Sequence, residues 1–357
     1  MLRIIQWGTG ATGKLTAKAI LKTPGLALVG CYTTSDHKNG RDVGDICGTS
    51  LVGVKATTSK EAIFAMPADC VIYMTMEEFT VDRALKDICK LLSSGKNVIS
   101  TAATILFHPK AIGAEAVNRL EAACREGGTS YFGTGIEPGW ASVTLPLLIS
   151  GVVARIDSIL IQEILDYRAY ATTATMFDMM GFGSKPPPSQ PPAQVPLHQI
   201  GAYSAPLIML ADALGFTIDH VIFESTVAVA ERDLDIAAGR IAAGTVSAKH
   251  YAFTAIVDGK PKVKIEHFTR AGDPGPIDWP LGQGFYITIR GEPCMKISID
   301  LALHGSQPTD DGALIAAMHV VHAIRAVCEA PVGIRSVLDL PPIIGRGVMS
   351  TGNVASK

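Results

Sequence analysis

The sequence predicts an α/β protein of two domains, and three observations predict it. A glycine fingerprint at the N-terminus lies between an apolar run and a helical stretch. Strand-like and helix-like runs then alternate as far as residue 136. From there to about residue 309, longer strand-like runs with alternating polarity take over, and a long helical stretch follows. The expected first domain is 1–136 plus 310–357, a Rossmann-type unit with a mostly parallel sheet. The expected second is 137–309, a mixed α+β unit with an antiparallel or mixed sheet. The C-terminal helix is expected to return to the first domain.

Composition sets the frame. A chain of 357 residues suits two domains, and 48% hydrophobic against 18% charged residues excludes a disordered chain. The net charge of −2 leaves no basic excess for phosphate contacts, so no nucleic-acid partner is expected. The mean hydropathy is +0.28. The longest apolar run, around 143–154, is broken by Pro146, Ser150 and Gly151, so no membrane span is expected. The opening MLRIIQWGTG enters a strand and a glycine turn directly, which predicts neither a signal nor a transit peptide. The seven cysteines are scattered and form no C-x-x-C pair. They read as reduced thiols, mostly core filler, in a cytoplasmic protein.

Residues 2–7 form the first strand. Gly8-Thr9-Gly10-Ala11-Thr12-Gly13 follows, then a helix over 14–22 stopped by Thr23-Pro24-Gly25, then a second strand over 26–32. Strand, G-x-G-x-x-G, helix and strand within about 30 residues is the context a dinucleotide fingerprint requires. Gly8 permits the tight turn, Gly10 lets the backbone approach the pyrophosphate, and Gly13 lets helix and strand pack closely. The helix N-terminus offers free N–H groups to the phosphates. No acid stands at the tip of the second strand, where it would bind the ribose hydroxyls of NAD. Thr33, Thr34 and Ser35 can bond a 2′-phosphate there, and Lys38 or Arg41 can neutralise it. The preferred cofactor is therefore NADP(H), with NAD(H) the alternative.

A buried strand over 68–76 puts Met74, Thr75 and Met76 at its carboxyl end, where ligands of open parallel sheets sit. A helix over 81–94 and a strand over 97–101 bring Thr101, Ala102 and Ala103 to the same edge. A helix over 111–125 and a short strand over 129–133 lead into Gly133-Thr134-Gly135-Ile136-Glu137-Pro138-Gly139-Trp140. In the second half, strands are expected over 155–167, 226–236, 248–258, 262–269 and 284–303, with Asp258-Gly259 as a hairpin turn. A helix is expected over 205–214 and another over 309–328. The proline-rich stretch 186–196 is expected to hold no regular structure.

The candidate proton-handling groups are Glu137, Glu163, Asp166, Tyr167, Tyr170 and His267. Glu137 stands out, because a desolvated carboxyl in that loop has a raised pKa and serves as acid or base. A loop carboxylate capping the following segment is its alternative reading. Glu137, Tyr167 and His267 are the catalytic candidates. On one strand, Glu163 and Tyr167 share a face and Asp166 takes the other. Ala103, Trp140, Tyr170, Met176, Phe177 and Met180 are the candidate substrate pocket, with plain core packing the alternative for the methionine cluster. His319 and His322 stand three apart on the last helix without a third ligand, so no metal site is expected. No G-x-S-x-G and no G-x-x-x-x-G-K-[ST] occurs.

Several stretches together resemble one family. They are the Gly8–Gly10–Gly13 fingerprint, Lys38-Asn39-Gly40-Arg41-Asp42-Val43-Gly44, the Gly133 to Gly139 segment and Met176-Phe177-Asp178-Met179-Met180-Gly181-Phe182-Gly183. Glu266-His267-Phe268-Thr269-Arg270 with Trp279-Pro280, and Asp339-Leu340-Pro341, complete the set. Over nearly its whole length the chain resembles the dihydrodipicolinate-reductase-like oxidoreductases that include 2,4-diaminopentanoate dehydrogenase and the native amine dehydrogenases. The resemblance implies a homodimer built through the second domain and an active site in the cleft between domains. It also implies reversible hydride transfer between NAD(P)H and an imine formed from a small hydrophobic carbonyl and ammonia or an amine.

The sequence departs from the family at two points. The amine dehydrogenases carry a Glu after the Thr101-like strand tip, where this chain reads Thr101-Ala102-Ala103-Thr104. The usual Asn of their G-x-N-P-G segment is here Glu137. Either Glu137 has taken over the carboxylate's role, or the chain reduces a carbonyl without amine chemistry, with Tyr167, Tyr170 or His267 as proton donor. A non-catalytic nucleotide-binding protein is the third reading.

Overall fold

The computed structural model describes residues 1–75, 81–102, 104–273 and 277–349. It divides into two compact units, Met1–Gly135 with Ala313–Lys357, and Ile136–Gly312. In the first unit the chain runs through β1 (Leu2–Trp7), α1 (Ala11–Lys22), β2 (Leu26–Tyr32), α2 (Val43–Cys47), β3 (Ala56–Thr57) and α3 (Lys60–Ala65). It continues through β4 (Cys70–Tyr73), α4 (Val81–Ser93), β5 (Asn97–Ser100), α5 (Ala114–Gly127) and β6 (Ser130–Gly133). The second unit holds α6 (Leu145–Ser150), β7 (Arg155–Asp166), β8 (Ala193–Val195), α7 (Ser204–Leu214), β9 (His220–Val229), β10 (Leu234–Ile236) and β11 (Gly239–Ile241). Its last strands are β12 (Val246–Val257), β13 (Lys260–Arg270), β14 (Gly284–Glu292) and β15 (Met295–Asp300). Helix α8 (Pro308–Cys328) leads back into the first unit, which β16 (Gly333–Arg335) completes.

The first sheet has the order β16-β6-β5-β4-β1-β2-β3, and every pair in it is parallel. Covered on both faces, its central strands are short continuous apolar runs, as in β4, where Cys70, Val71, Ile72 and Tyr73 are all buried. On α4, Ala84, Leu85, Ile88, Leu91 and Leu92 recur at helical spacing and bury one stripe. Ile4, Ile20, Leu28 and Phe132 share a core with Val320, Val321, Ala323, Ile324 and Val327 of α8, so the last helix returns to the first unit as expected.

The second sheet has the order β15-β14-β7-β13-β12-β9-β8. It is mixed: β13 and β7 are parallel and the other pairs antiparallel. The Asp258-Gly259 turn lies where expected. Both residues have positive φ (50° and 69°), as a two-residue hairpin turn needs, and Val257 pairs with Lys260.

Several elements differ from the sequence reading. The strand expected over 226–236 is two, β9 and β10, interrupted after Val229. The run over 284–303 is a hairpin, β14 and β15, folded back at Pro293-Cys294, because proline cannot continue the ladder. The stretch 186–196 does contain regular structure: its proline-free Ala193–Val195 pairs with β9 at the sheet edge. The helix expected over 111–125 starts at Ala114, after a separate turn over Pro109–Ile112 closed by Gly113. Among the described residues one helix, α8, is long and apolar enough to cross a membrane by length and composition alone. Its Val320, Val321, Ala323, Ile324 and Val327 are buried in the core just described.

Candidate active site

The glycine loop of the first unit is shaped by its neighbours. Gly8 has φ +106°, and a Cβ there would stand 1.9 Å from the Met74 carbonyl oxygen. A Cβ on Gly13 would stand 2.3 Å from the Gly8 carbonyl oxygen, so the helix packs directly on the turn. Gly10 is different: a Cβ there meets nothing within 4 Å. Gly10 also caps α1 without a side-chain hydrogen bond, so the N–H groups at Ala11 and Thr12 have no side-chain cap. Open space above uncapped N–H groups fits the pyrophosphate of a dinucleotide.

Around this loop the Thr9 and Thr33 hydroxyls are 2.9 Å apart, and Lys38 Nζ donates to the Thr9 carbonyl at 3.0 Å. Lys38 is thus drawn over the loop, whereas Arg41 makes an exposed pair with Asp45 at 2.7 Å. Thr33 is buried and braces Thr9, Thr34 is exposed, and Ser35 is half-buried and bonds His37 at 2.8 Å. Met74 is buried and its sulfur accepts from Thr16. The Thr75 hydroxyl is buried without a partner. Thr101 is half-buried at the tip of β5, and Ala102 is buried beside it. Met76 and Ala103 lie outside the described residues.

The second unit gathers a cluster of titratable groups. The segment before α6 holds Glu137 and Pro138 in extended conformations. Gly139 follows at φ +143°, a region that favours glycine, and its N–H donates to Ser142 Oγ at 3.0 Å. This turn sets the Glu137 carboxylate 3.8 Å from His267 Nε2. On the sheet, His267 of β13 stands opposite Glu163 of β7, and its Nδ1 lies 3.5 Å from Glu163 Oε1. The side chains of Glu137, His267 and Glu163 are 3%, 3% and 12% exposed. Tyr251, opposite His267 on β12, stacks on the imidazole at 4.7 Å, and Tyr203 meets its edge at 5.0 Å. The two tyrosine hydroxyls bond each other at 2.7 Å.

The electrostatics follow from burial. Burial pushes the Glu137 carboxyl up to about 8, against the pull of His267 and Ser142 and with the help of Glu163. Burial lowers His267, but the Glu163 carboxylate, then Glu137 and Glu266, outweigh it and leave the imidazole raised. Burial, with Glu163 nearby, holds Tyr167 well above the usual phenol range, so it stays protonated.

The catalytic candidates Glu137 and His267 are therefore in direct reach of each other, whereas Tyr167 packs against Tyr170 and feels Glu163 only through its charge. Glu163 belongs to the cluster more closely than Tyr167 does. Tyr203, Tyr251 and Ser142 were not foreseen. The Asp258-Gly259 hairpin signals that β12 lies against β13, but its unbroken register would bring His250, and not Tyr251, to His267.

The proposed pocket wall divides. Met176 has no exposed surface and packs with Phe182, Leu234, Ile241 and Val246, so its role is core packing. The Phe177 ring is seated against Gly183 and Gly239, where an added Cβ would stand 3.3 and 3.2 Å from it. Tyr170, half-buried, meets Tyr167 with ring centres 5.9 Å apart and, like Met180, fringes this small core. Trp140 is half-buried directly after Gly139.

A parallel sheet with a dinucleotide-type loop, joined to a mixed-sheet unit holding a buried acid–base cluster, defines a nicotinamide-dependent oxidoreductase. Comparison with known proteins agrees. Residues 2–104 match the family model for the N-terminus of dihydrodipicolinate reductase, and residues 143–353 that for the C-terminal domain of 2,4-diaminopentanoate dehydrogenase. An amine dehydrogenase of Streptomyces virginiae is 33% identical over 97% of this chain and 98% of its own. The 2,4-diaminopentanoate dehydrogenase of Acetoanaerobium sticklandii is 24% identical over 98% and 95%. The solved amine dehydrogenase of Mycobacterium smegmatis shares the fold, with a TM-score of 0.76 at 22% identity over 97% of both chains. The chain belongs to the 2,4-diaminopentanoate dehydrogenase and amine dehydrogenase family of NAD(P)-dependent oxidoreductases.

Proposed function

We propose that this protein reduces the imine formed from a small hydrophobic ketone or aldehyde and ammonia or an amine, and runs the reverse oxidation, with NADP(H) preferred over NAD(H). Glu137 is its acid–base group. The observation that carries the reading is the buried Glu137 carboxyl, held to about 8 beside His267.

Reductive amination turns a carbonyl, ammonia, a hydride and a proton into an amine and water. The bound nicotinamide supplies the hydride. The carbinolamine formed on ammonia addition must lose its hydroxyl as water, and that oxygen needs a proton as it leaves. A carboxyl that titrates near 8 holds a proton at neutral pH and can donate it, then take one back from an ammonium group. The NADP(H) preference is supported by Lys38 over the glycine loop, by exposed Thr34 and half-buried Ser35, and by the missing acid at the tip of β2. We further propose a homodimer through the second sheet. Its face opposite His267 carries a connected set, Gln162 to Glu266 at 2.9 Å and Lys264 to Glu266 and Glu224 at 2.6 and 3.1 Å, suited to pairing with a second copy.

The test is oxidation of NADPH and NADH with apolar ketones and aldehydes, with and without ammonium or methylamine, for wild type and Glu137→Gln. The expected result is amine-dependent turnover that falls about 10²- to 10⁴-fold in the variant. Turnover independent of amine identifies a carbonyl reductase instead, and cofactor binding without any turnover a non-catalytic nucleotide-binding protein.

A further inference from the structure

We propose that Glu163 is a positioning residue that keeps a proton on Glu137, by holding His267 as its own counter-ion. The inference rests on the reading of Glu137 as the acid of the site, and it assigns to Glu163 a task of its own.

The geometry is a line of three groups. Glu163 and His267 are neighbours on parallel strands, with Glu163 Oε1 3.5 Å from Nδ1. The opposite ring nitrogen, Nε2, faces Glu137 at 3.8 Å. Tyr251 lies nearly parallel to the ring (10°) and Tyr203 blocks its edge (66°), so the imidazole is clamped in this orientation. The phenols bond each other and leave the ring nitrogens to the carboxylates. Among the described residues neither Glu137 nor Glu163 pairs with a lysine or arginine.

Every other group near the line is accounted for. Glu266, next to His267 on β13, is tied to Lys264, Gln162 and His250. Burial would raise it, but those partners hold it down at about 2, so it stays an anion. Tyr167, Tyr203 and Tyr251 are all raised by burial and stay neutral. Ser142 adds only a weak pull on Glu137.

Charge balance in the buried cluster then limits the protons. Two carboxyls and one imidazole are electrically neutral either with all three uncharged or with the imidazole charged, one carboxyl ionised and the other protonated, and the raised imidazole selects the second arrangement. Glu163, the nearer carboxylate, takes the imidazolium. Glu137, whose nearest approach to the ring is 3.8 Å against 3.5 Å for Glu163, keeps the proton. Without Glu163 the cluster holds one proton fewer, the carboxylate that raised Glu137 is gone, and the His267 charge that lowers it faces Glu137 alone, so Glu137 gives up its proton more easily. Without His267 two buried carboxyls face each other with no cation between them, and Glu137 holds its proton harder still.

The two substitutions therefore move Glu137 in opposite directions, which a merely structural role for Glu163 does not produce. The experiment is infrared titration of the protonated-carboxyl carbonyl band in the NADPH-bound full-length protein, assigned by its loss in Glu137→Gln. The wild-type midpoint is expected near 8. Glu163→Gln should lower it by more than about one pH unit and His267→Asn raise it by a similar amount. Glu163→Asp, which keeps the charge, should stay within about half a unit of wild type. Glu163→Ser replaces the amide if Glu163→Gln does not fold. The basic limb of kcat/KM should follow the same shifts. A midpoint unmoved or raised by Glu163→Gln or Glu163→Ser overturns the proposal. If that happens while amine-dependent turnover still collapses in Glu137→Gln, only the role of Glu163 is lost. If the band shifts as expected but no amine is made, the proton placement stands and the function assigned above fails.

Discussion

Replacing Glu137 by Gln should flatten the dependence of stability on pH. In the unfolded chain this carboxyl titrates at the ordinary value of 4.5, and in the folded protein at about 8. Between those values the native state holds a proton that the unfolded state has released, so stability falls as pH rises. The slope for one such proton is about 1.4 kcal/mol per pH unit, and across the interval the loss reaches about 5 kcal/mol. At 3% exposure solvent screens little of this. Coupling to Glu163 and His267 shares part of it among the three, so about 2–5 kcal/mol is the working range. His267 adds a term of the same sign, because its raised folded value gives stability that is full below 6.5 and lost as pH rises through the folded value. Gln removes the Glu137 term and keeps the side-chain volume. The assay is urea unfolding at steps from about pH 5 to about pH 8, followed by tryptophan fluorescence, on wild type and Glu137→Gln. Wild type should lose stability across this range, and the variant should lose about 2 kcal/mol less or better. Parallel curves would refute the placement of a neutral carboxyl at this position.

Other substitutions separate the parts. Gly10→Ala should leave urea stability within about 0.5 kcal/mol, because the new Cβ meets no atom, yet weaken NADPH binding at least about tenfold by fluorescence titration. Gly8→Ala should instead fail to fold or lose several kcal/mol, since its Cβ would overlap the Met74 carbonyl. Lys38→Ala should cost about 10- to 100-fold in NADPH affinity and much less in NADH affinity, and equal losses would remove Lys38 from 2′-phosphate recognition. Met176→Ala should cost about 2–5 kcal/mol in unfolding, as a fully buried core side chain does, and a stability within 0.5 kcal/mol of wild type would return it to the pocket wall.

The first unit was largely legible in the sequence because its signals are local. The fingerprint from Gly8 to Gly13, the strand before it and the helix after it lie within one stretch of chain, and buried parallel strands read as continuous apolar runs. Glu137 was legible for a similar reason, since a carboxyl set between Gly135 and Pro138-Gly139 stands out from any ordinary loop. Glu163 was visible only as one of three polar residues on a strand, because its importance comes from β13, more than a hundred residues later in the chain. Tyr203 carried no signal at all. Arg41 and Lys38 looked equivalent, and only the fold shows that Arg41 is taken up by Asp45 while Lys38 reaches the Thr9 carbonyl. Met176 and Met180 share a segment and a chemistry, yet the turn between them buries the first fully and leaves the second at the edge.

One irregularity decides the character of the acid–base cluster. A two-residue turn at Asp258-Gly259 sets Val257 opposite Lys260, and continued without a break it would set His267 opposite His250. At the register shift between Ala255 and Ile256, which pair with Val263 and Pro261, Lys262 is an extra residue in β13, so that His267 meets Tyr251 instead. Because side chains alternate between faces, that single step puts Tyr251 on the face of the sheet that carries His267 and Glu163, and moves His250 to the face that carries Glu266. With the register unshifted, the His250 imidazole would stand across from His267. With the bulge, the neighbour is a phenol that stays neutral and stacks. The partner that stacks on His267 thus depends on a backbone feature about five residues back along β13, at Lys262.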